Sequence, residues 1–292
     1  MLSSKRKEGG MSKYRRRLMM NNADKLFPDY LCFTALEDAV FTLSIPAGLT
    51  VANLSYVEYS TDEGATWTRT DNVADNAVTI TTPTIATGGK VYWRGSGIRY
   101  GSSTSVYSKF TSTGNFNASG HLSSLTYLNK VGTNAAYSYM YYRLFYGCTK
   151  LISAEDMILP SSSENYSYGG MFKGCTAMAI SPQIPKVRLV TNACREMFYE
   201  CTHLTKLVAL FTSAASTNAY YHWIGSNSAS SKVPSTCLMV FSLNATDSFI
   251  SSIKNNGNTY THILYDNDND RYYLSDRVTE CDSWGNPILG GG

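Results

Sequence analysis

The sequence predicts a mainly β protein: an antiparallel β-sandwich, then a short solenoid whose repeats each contain a strand and a short helical turn, then a small α+β C-terminal segment. Three observations predict it. Between Leu31 and Phe116, short runs alternate apolar and polar residues, are rich in β-branched and aromatic types, and are separated by turn clusters. Further on, one phrase recurs three times, as Leu144-Phe-Tyr-Gly-Cys148-Thr-Lys-Leu151, Met171-Phe-Lys-Gly-Cys175-Thr-Ala-Met178 and Met197-Phe-Tyr-Glu-Cys201-Thr-His-Leu204. Its cysteines lie 27 and then 26 residues apart, the mark of units that stack and bury against a neighbour the face none can bury alone. After residue 244 the pattern changes to one helix-like segment and two strand-like runs.

The chain has 292 residues, room for about two domains, and its 43% hydrophobic content can fill real cores. Charged residues are only 16%, below the roughly 25% of ordinary soluble domains, while tyrosines number 22. Tyr, Ser and Asn build adaptable binding surfaces, and β-structure also favours Tyr and Thr. The net charge of +3 is uneven, because residues 1–26 carry eight Lys or Arg against Glu8 and Asp24, leaving the remainder at −3. This basic arm, centred on Lys13, Tyr14, Arg15, Arg16 and Arg17, suits anchoring on an acidic protein surface, nucleic acid or phospholipid, or else serves as a solvated tail. Basic and aromatic residues do not interleave beyond it, so no nucleic-acid partner is expected. Leu18-Met-Met20 is far too short for a signal-peptide core and nowhere do about 20 apolar residues run together, so synthesis in a cytoplasm without membrane insertion is expected. Seven cysteines, an odd number lacking any Cys-x-x-Cys pair, indicate neither a disulfide framework nor a zinc site.

Four segments follow in order: a basic arm (1–30), the sandwich (31–116), the repeats with a cap (117–243) and the C-terminal helix and hairpin (244–292). Strands are expected at 40–45, 54–59, 77–81 and 90–94, a spacing that suggests an immunoglobulin-like sandwich, though the Cys-Trp-Cys arrangement of antibody domains is missing. Ser60-Thr-Asp-Glu-Gly64-Ala-Thr-Trp67 resembles the Asp-box of sialidases. That resemblance implies a structural hairpin, with Asp62 capping amides, Gly64 at positive φ and Trp67 packing beneath, in preference to an active site.

In each repeat, Phe and Cys three apart lie on one face of a helical turn and the next apolar residue enters a strand. Phe145, Cys148 and Leu151, then Phe172, Cys175 and Met178, then Phe198, Cys201 and Leu204 are thus expected to form an internal ladder, its cysteines acting as small apolar side chains. The phrase resembles the BspA-type leucine-rich repeats. Glu200 departs from the usual Gly, and the fourth expected position, near Trp223, keeps only an aromatic, which suits a cap over 219–243. In the C-terminal segment a helix is expected over 247–254 and a hairpin over 260–265 and 271–274. The joining Asp266-Asn-Asp-Asn-Asp270 has calcium-loop spacing but Arg271 and Arg277 at the sixth and twelfth positions, so a polar turn is expected.

The order of basic arm, immunoglobulin-like domain and BspA-type repeats is similar to hypothetical proteins of Bacteroidetes and of the phages and prophages that infect them. Phrases carrying the resemblance include Ser12-Lys-Tyr-Arg-Arg-Arg-Leu18 and Lys109-Phe-Thr-Ser-Thr-Gly-Asn-Phe-Asn-Ala-Ser-Gly120. It implies a non-enzymatic virion structural protein (a head or tail fibre, decoration or adhesin) without cofactors. The arm would bind other virion proteins, the chain would form a homo-oligomer, and the concave repeat face would bind a host surface protein or glycan. The alternative location is the bacterial cell surface, as a BspA-like adhesin. Catalysis, for instance on glycans, is not expected: His121, His203, His222 and His262 stand in no metal or nucleophile spacing, and Glu155 and Asp156 are adjacent instead of opposed.

Overall fold

A computed structural model describes residues 30–49, 54–71, 73, 77–126, 137–161, 163–226, 232–254 and 260–288. The expected anchor residues Lys13 to Arg17 lie outside them. The described chain is mainly β. Its first eight strands are β1 (Leu31–Ala35), β2 (Phe41–Ile45), β3 (Leu54–Ser60), β4 (Thr68–Asp71), β5 (Val78–Thr81), β6 (Lys90–Gly97), β7 (Lys109–Ser112) and β8 (Phe116–His121). Strands β2 and β8 alternate strictly between buried and half-exposed residues, as a sheet with one face on a core requires. Strands β5, β2 and β7 form a three-stranded antiparallel sheet.

The remaining strands of this part belong to a larger sheet. Strands β4, β3, β6, β1 and β8 follow one another antiparallel, and β8 then pairs in parallel with β9 (Leu151–Ile158). Parallel pairing continues through β10 (Ile180–Ile184), β12 (Lys206–Ala209), β14 (Leu238–Ser242) and β15 (His262–Asp266). Antiparallel β16 (Arg271–Leu274) and β17 (Glu280–Cys281) complete twelve strands, while β11 (Arg188–Leu189) and β13 (Ser213–Ala214) pair separately. Two expected boundaries therefore fall inside one sheet. Residue 116 begins β8, which serves both halves, and the parallel run crosses residue 243 to take in β15. The first two strands lie in different sheets, which departs from the immunoglobulin arrangement in which they are neighbours.

The expected helical turns are replaced by a different structure. Between strands the repeats run as successive β-turns whose amides alternate in role. The N–H groups of Tyr142, Leu144, Tyr146 and Cys148 close their own turns onto carbonyls three residues back. Those of Tyr141, Arg143, Phe145 and Gly147 donate instead to Ser167, Gly169, Met171 and Lys173 of the next repeat, at 2.8–3.0 Å. The same alternation joins the second repeat to the third, and the third to Ala219, Tyr221 and Trp223. An α-helix would spend every amide within its own segment; sending every second one to a neighbour excludes it. The geometry places every fourth residue at positive φ, as at Arg143 (54°), Gly147 (69°), Gly170 (57°), Gly174 (76°), Glu196 (56°) and Glu200 (66°).

Under this backbone ladder lies the Phe and Cys ladder. Phe145, Phe172 and Phe198 are fully buried, with ring centroids 5.5 and 5.6 Å apart and planes within 14° and 5° of parallel. Leu151, Met178 and Leu204 are equally buried beside them. The Cys175 thiol donates to the Phe145 carbonyl (3.0 Å) and that of Cys201 to Phe172 (3.1 Å), so these two cysteines fasten the second and third repeats to the one before. Ile224 stands in register with Phe198, and Trp223, one residue earlier, closes the column edge-on at 6.2 Å. At the other end Phe110 of β7 stacks on Phe145 (5.5 Å), and Phe33 of β1 touches Phe41, Trp93, Phe110, Phe116 and Phe145. One apolar core thus runs through both halves.

All seven cysteines are free and buried. Burial pushes the thiols of Cys148, Cys194 and Cys237 up to about 12 and raises that of Cys201 further. Their folded values exceed the ordinary 9.0, so the stability they confer is complete below that pH and is lost as pH rises from about 9 toward 12. Urea melts at increasing pH should show midpoints falling across this window, and a thiol reagent at neutral pH should label the chain only after unfolding. Phe172→Ala should cost about 3–5 kcal/mol, read as a drop in the urea midpoint. Because β8 is shared, both halves should unfold in a single transition; two separate transitions would contradict the continuous core.

Candidate ligand-binding surface

The motifs suggestive of chemistry are occupied with structure. Asp62 accepts from the Ser60 hydroxyl (2.7 Å) and the Thr66 amide (2.9 Å), Gly64 sits at φ 85°, and Trp67 Nε1 donates to the Gly64 carbonyl (3.0 Å). Hydrogen bonds from the Thr66 side chain and backbone, then from Ser60, hold the Asp62 carboxyl at about 2. The motif is the tight link between β3 and β4. Beside it Arg94 pairs with the buried Glu58 and lies 3.8 Å above the Trp67 ring, which meets Tyr30 edge-on. The Asp266–Asp270 segment is a polar turn: Asp266 accepts from the amides of Asp268 and Asn269 and from the Asn269 side chain. Arg277, at the place where a calcium loop has Glu, instead holds the carbonyls of Leu243 and Ala245 and the carboxylate of Asp247, the first residue of α1 (Asp247–Ile253), whose N-cap is Thr246. His203 bonds the Thr176 carbonyl, and His262 accepts from Lys254. Burial and the neighbouring Lys254 ammonium push His262 down to about 4. Among the described residues no group of three or more His, Cys, Asp or Glu could hold a metal ion, and no helix is long and apolar enough to cross a membrane.

Two faces of the repeats remain for binding. The outward face of the parallel strands is the one the repeat resemblance favours, yet its C-terminal half is covered by this chain. Val240, Leu238, Ile263, Tyr265 and Cys281 form a second apolar cluster there, and Trp284 lies 4.6 Å from the ammonium of Lys206, a residue only 4% exposed. Burial lowers the pKa of that lysine.

The turn columns present the other face. Here sequence-adjacent positions stack across repeats: Tyr142, Gly169, Arg195 and Tyr221 in one column, Tyr146, Lys173 and Tyr199 in another. The Arg143 guanidinium sits 5.1, 5.2 and 4.9 Å from the rings of Tyr107, Tyr142 and Tyr146 and donates to the Tyr107 hydroxyl (3.4 Å). Lys173 lies 4.3 Å over Tyr199 and 2.7 Å from Glu196, and Arg195 lies 4.9 Å over Tyr221. Hydrogen bonding to Lys173 and the neighbouring cations outweigh burial and lower the Glu196 pKa. Tyr139 stacks on Tyr166 at 5.0 Å. Room for the Arg143 cage comes from the second repeat, where Gly169 and Gly170 replace side chains: a Cβ on Gly169 would meet Tyr142 at 3.0 Å, and one on Gly170 would meet Arg143 at 3.1 Å.

Beyond Tyr107 the stripe opens into a groove of about 370 Å³ lined by Ser44, Thr79, Ser105, Tyr107 and Lys109 and by the apolar residues at 45–46 and 77–78. Sequence patterning registers the tyrosine count but not this arrangement. The signal that would expose it is the column alignment at a 27- and 26-residue offset, which sets Tyr, Gly, Arg and Tyr at one outward position. Arrangements of this kind bind polar ligands through aromatic faces and fixed cations without covalent chemistry.

Gly170→Ala should destabilise the fold by about 1–2 kcal/mol, read by urea unfolding, because positive φ and the Arg143 contact both oppose a methyl group. Compared with family models, curated proteins and solved structures, the chain matches none.

Proposed function

We propose that this chain is a non-enzymatic structural protein of a phage particle, a head or tail fibre, decoration or adhesin, in which an immunoglobulin-like sandwich is continuous with BspA-type leucine-rich repeats. In this role the basic arm docks on a neighbouring virion protein, and the folded part presents its turn-column face to a host surface protein or glycan. The observation that carries the proposal is the shared strand β8, which pairs with β1 on one side and β9 on the other and makes one stiff body of both parts. A stiff body presenting an aromatic and cationic face suits display. The uneven charge supports attachment through the arm, since residues 1–26 hold eight cations on a chain whose net charge is only +3.

Particles purified from the producing host and labelled with gold-conjugated antibody against residues 137–211 should show label at fixed positions on capsid or tail. A chain lacking residues 1–26 should fold normally and be missing from particles. Label confined to the bacterial envelope, or normal incorporation of the truncated chain, would overturn the proposal.

A further inference from the structure

The turn-column stripe carries a narrower assignment, which rests on the binding role just proposed and names its ligand. The phenol hydroxyls of several core tyrosines and of most stripe tyrosines differ in their partners. In the core, Tyr100 donates to the Leu125 carbonyl, Tyr168 to Pro160 and Tyr260 to Val233. Along the stripe, the hydroxyls of Tyr139, Tyr142, Tyr146, Tyr166, Tyr199 and Tyr221 bond to no other described residue. Packed rings with unspent hydroxyls, from the buried Tyr142 to the exposed Tyr221, are fixed hydrogen-bonding groups on an apolar wall. The Arg143 Nε is buried with no hydrogen-bond partner among the described residues, so the charge of this guanidinium, caged by three tyrosines, acts on the surface through its field.

The stripe's charge is opposite to that of the body. Lys109, Arg143, Lys173 and Arg195 stand along it against Glu196 and Glu200, whereas residues 27–292 carry a net −3. Lys109 has no ion-pair partner among the described residues and lies at one end in the groove, whose lining mixes hydroxyls with apolar side chains. At the other end Arg195, 3.7 Å from the Glu196 carboxylate, is held over Tyr221, itself 42% exposed. Between them the platforms repeat with the stack, whose ring spacing is 5.5–5.6 Å.

We infer that this stripe binds an extended acidic polysaccharide lying along the stack axis, its hydroxyls meeting the tyrosines and its carboxylates meeting Lys109 and Arg195. A single-stranded nucleic acid also has flat rings and negative charge. It is disfavoured because most ring faces here are already covered by a cation or another tyrosine, leaving hydroxyl-bearing rims instead of open faces on which bases stack. The balance of four cations to two carboxylates is also sparse for a phosphate backbone.

The test is surface plasmon resonance with the full chain over immobilised polygalacturonate and hyaluronan, with dextran as the neutral chain and a thymidine 20-mer as the competing polyanion. At least one acidic polysaccharide should bind about tenfold or more tightly than dextran and the oligonucleotide, and more weakly as salt rises. The double variant Lys109→Gln with Arg195→Gln should lose about tenfold of that affinity, and Tyr221→Ala should weaken it too, with melting temperatures unchanged. Failure of both acidic chains to bind, equal binding of dextran, tighter binding of the oligonucleotide or undiminished binding by the double variant would each overturn the assignment. Particle labelling is independent of these results. A chain that binds polygalacturonate but is missing from particles refutes only the virion role, and one that sits on particles yet binds neither acid refutes only this assignment.

Discussion

The fold depends on where the amides of the turn columns go. A buried N–H needs an acceptor, and in each repeat consecutive amides alternate between their own turn and the next repeat. That alternation fixes the offset between repeats, because a slip of one residue would aim every inter-repeat donor into its own turn. It also brings the Phe rings face to face and puts Cys175 and Cys201 beneath the carbonyl of the preceding repeat. In such a stack each unit is stabilised through its neighbours, so the ends need special treatment. Trp223 supplies it at one end, turning edge-on over Phe198 with its Nε1 bonded to the Ile253 carbonyl of α1. At the other end the N-terminal strands are the cap: Phe110 stacks on Phe145, and the amides of Phe110 and Tyr100 bond Leu144 and Met140 of the first column.

The same economy explains why the two halves share a sheet. A parallel strand at the start of a stack would expose a row of unpaired donors and acceptors, an invitation to aggregate. Strand β8 removes that edge by belonging to both halves, and Phe33 behind it lets the cores merge. The far side of the parallel run is closed by the antiparallel strands β16 and β17. The second apolar cluster follows from this closure, since β14 is buried on both faces once the C-terminal segment folds across Leu238 and Val240.

Much of this architecture is legible in the sequence, and the exceptions have physical causes. Alternation marks β2, β3, β5 and β6 because each has one face on the core, and the Phe-x-x-Cys-Thr phrase marks the ladder because identical neighbours demand identical inner side chains. The turn columns are misread as helical because Phe and Cys three apart fit a helical face equally well. Glycine would betray their positive φ, yet the chain places Tyr139, Arg143, Glu196 and Glu200 there, held by bonds to the neighbouring repeat that no local pattern encodes. The double role of β8 is equally hidden, since alternation says which face is buried but not which strand lies alongside. The stripe was visible only as an excess of tyrosine: its members are far apart in sequence and meet only once the repeats are in register.

That register has a consequence for how binding surfaces arise in such a chain. Inner positions of the column are constrained by ring stacking and thiol bonds, and the backbone ladder is indifferent to the side chains it carries. Outward positions therefore vary without disturbing the stack: one column reads Tyr142, Gly169, Arg195, Tyr221 and another Tyr146, Lys173, Tyr199. The exchange is local as well. Gly169 and Gly170 give up their side chains, and the space receives Tyr142 and Arg143 from the repeat before, so a loss in one unit becomes a formed cage in its neighbour. Because the cage is built across two repeats, its geometry is as rigid as the ladder beneath it, and a ligand meeting it would lose little affinity to ordering the protein. Stability and recognition thus occupy opposite sides of the same turns, which lets one be conserved through the stack while the other changes from repeat to repeat.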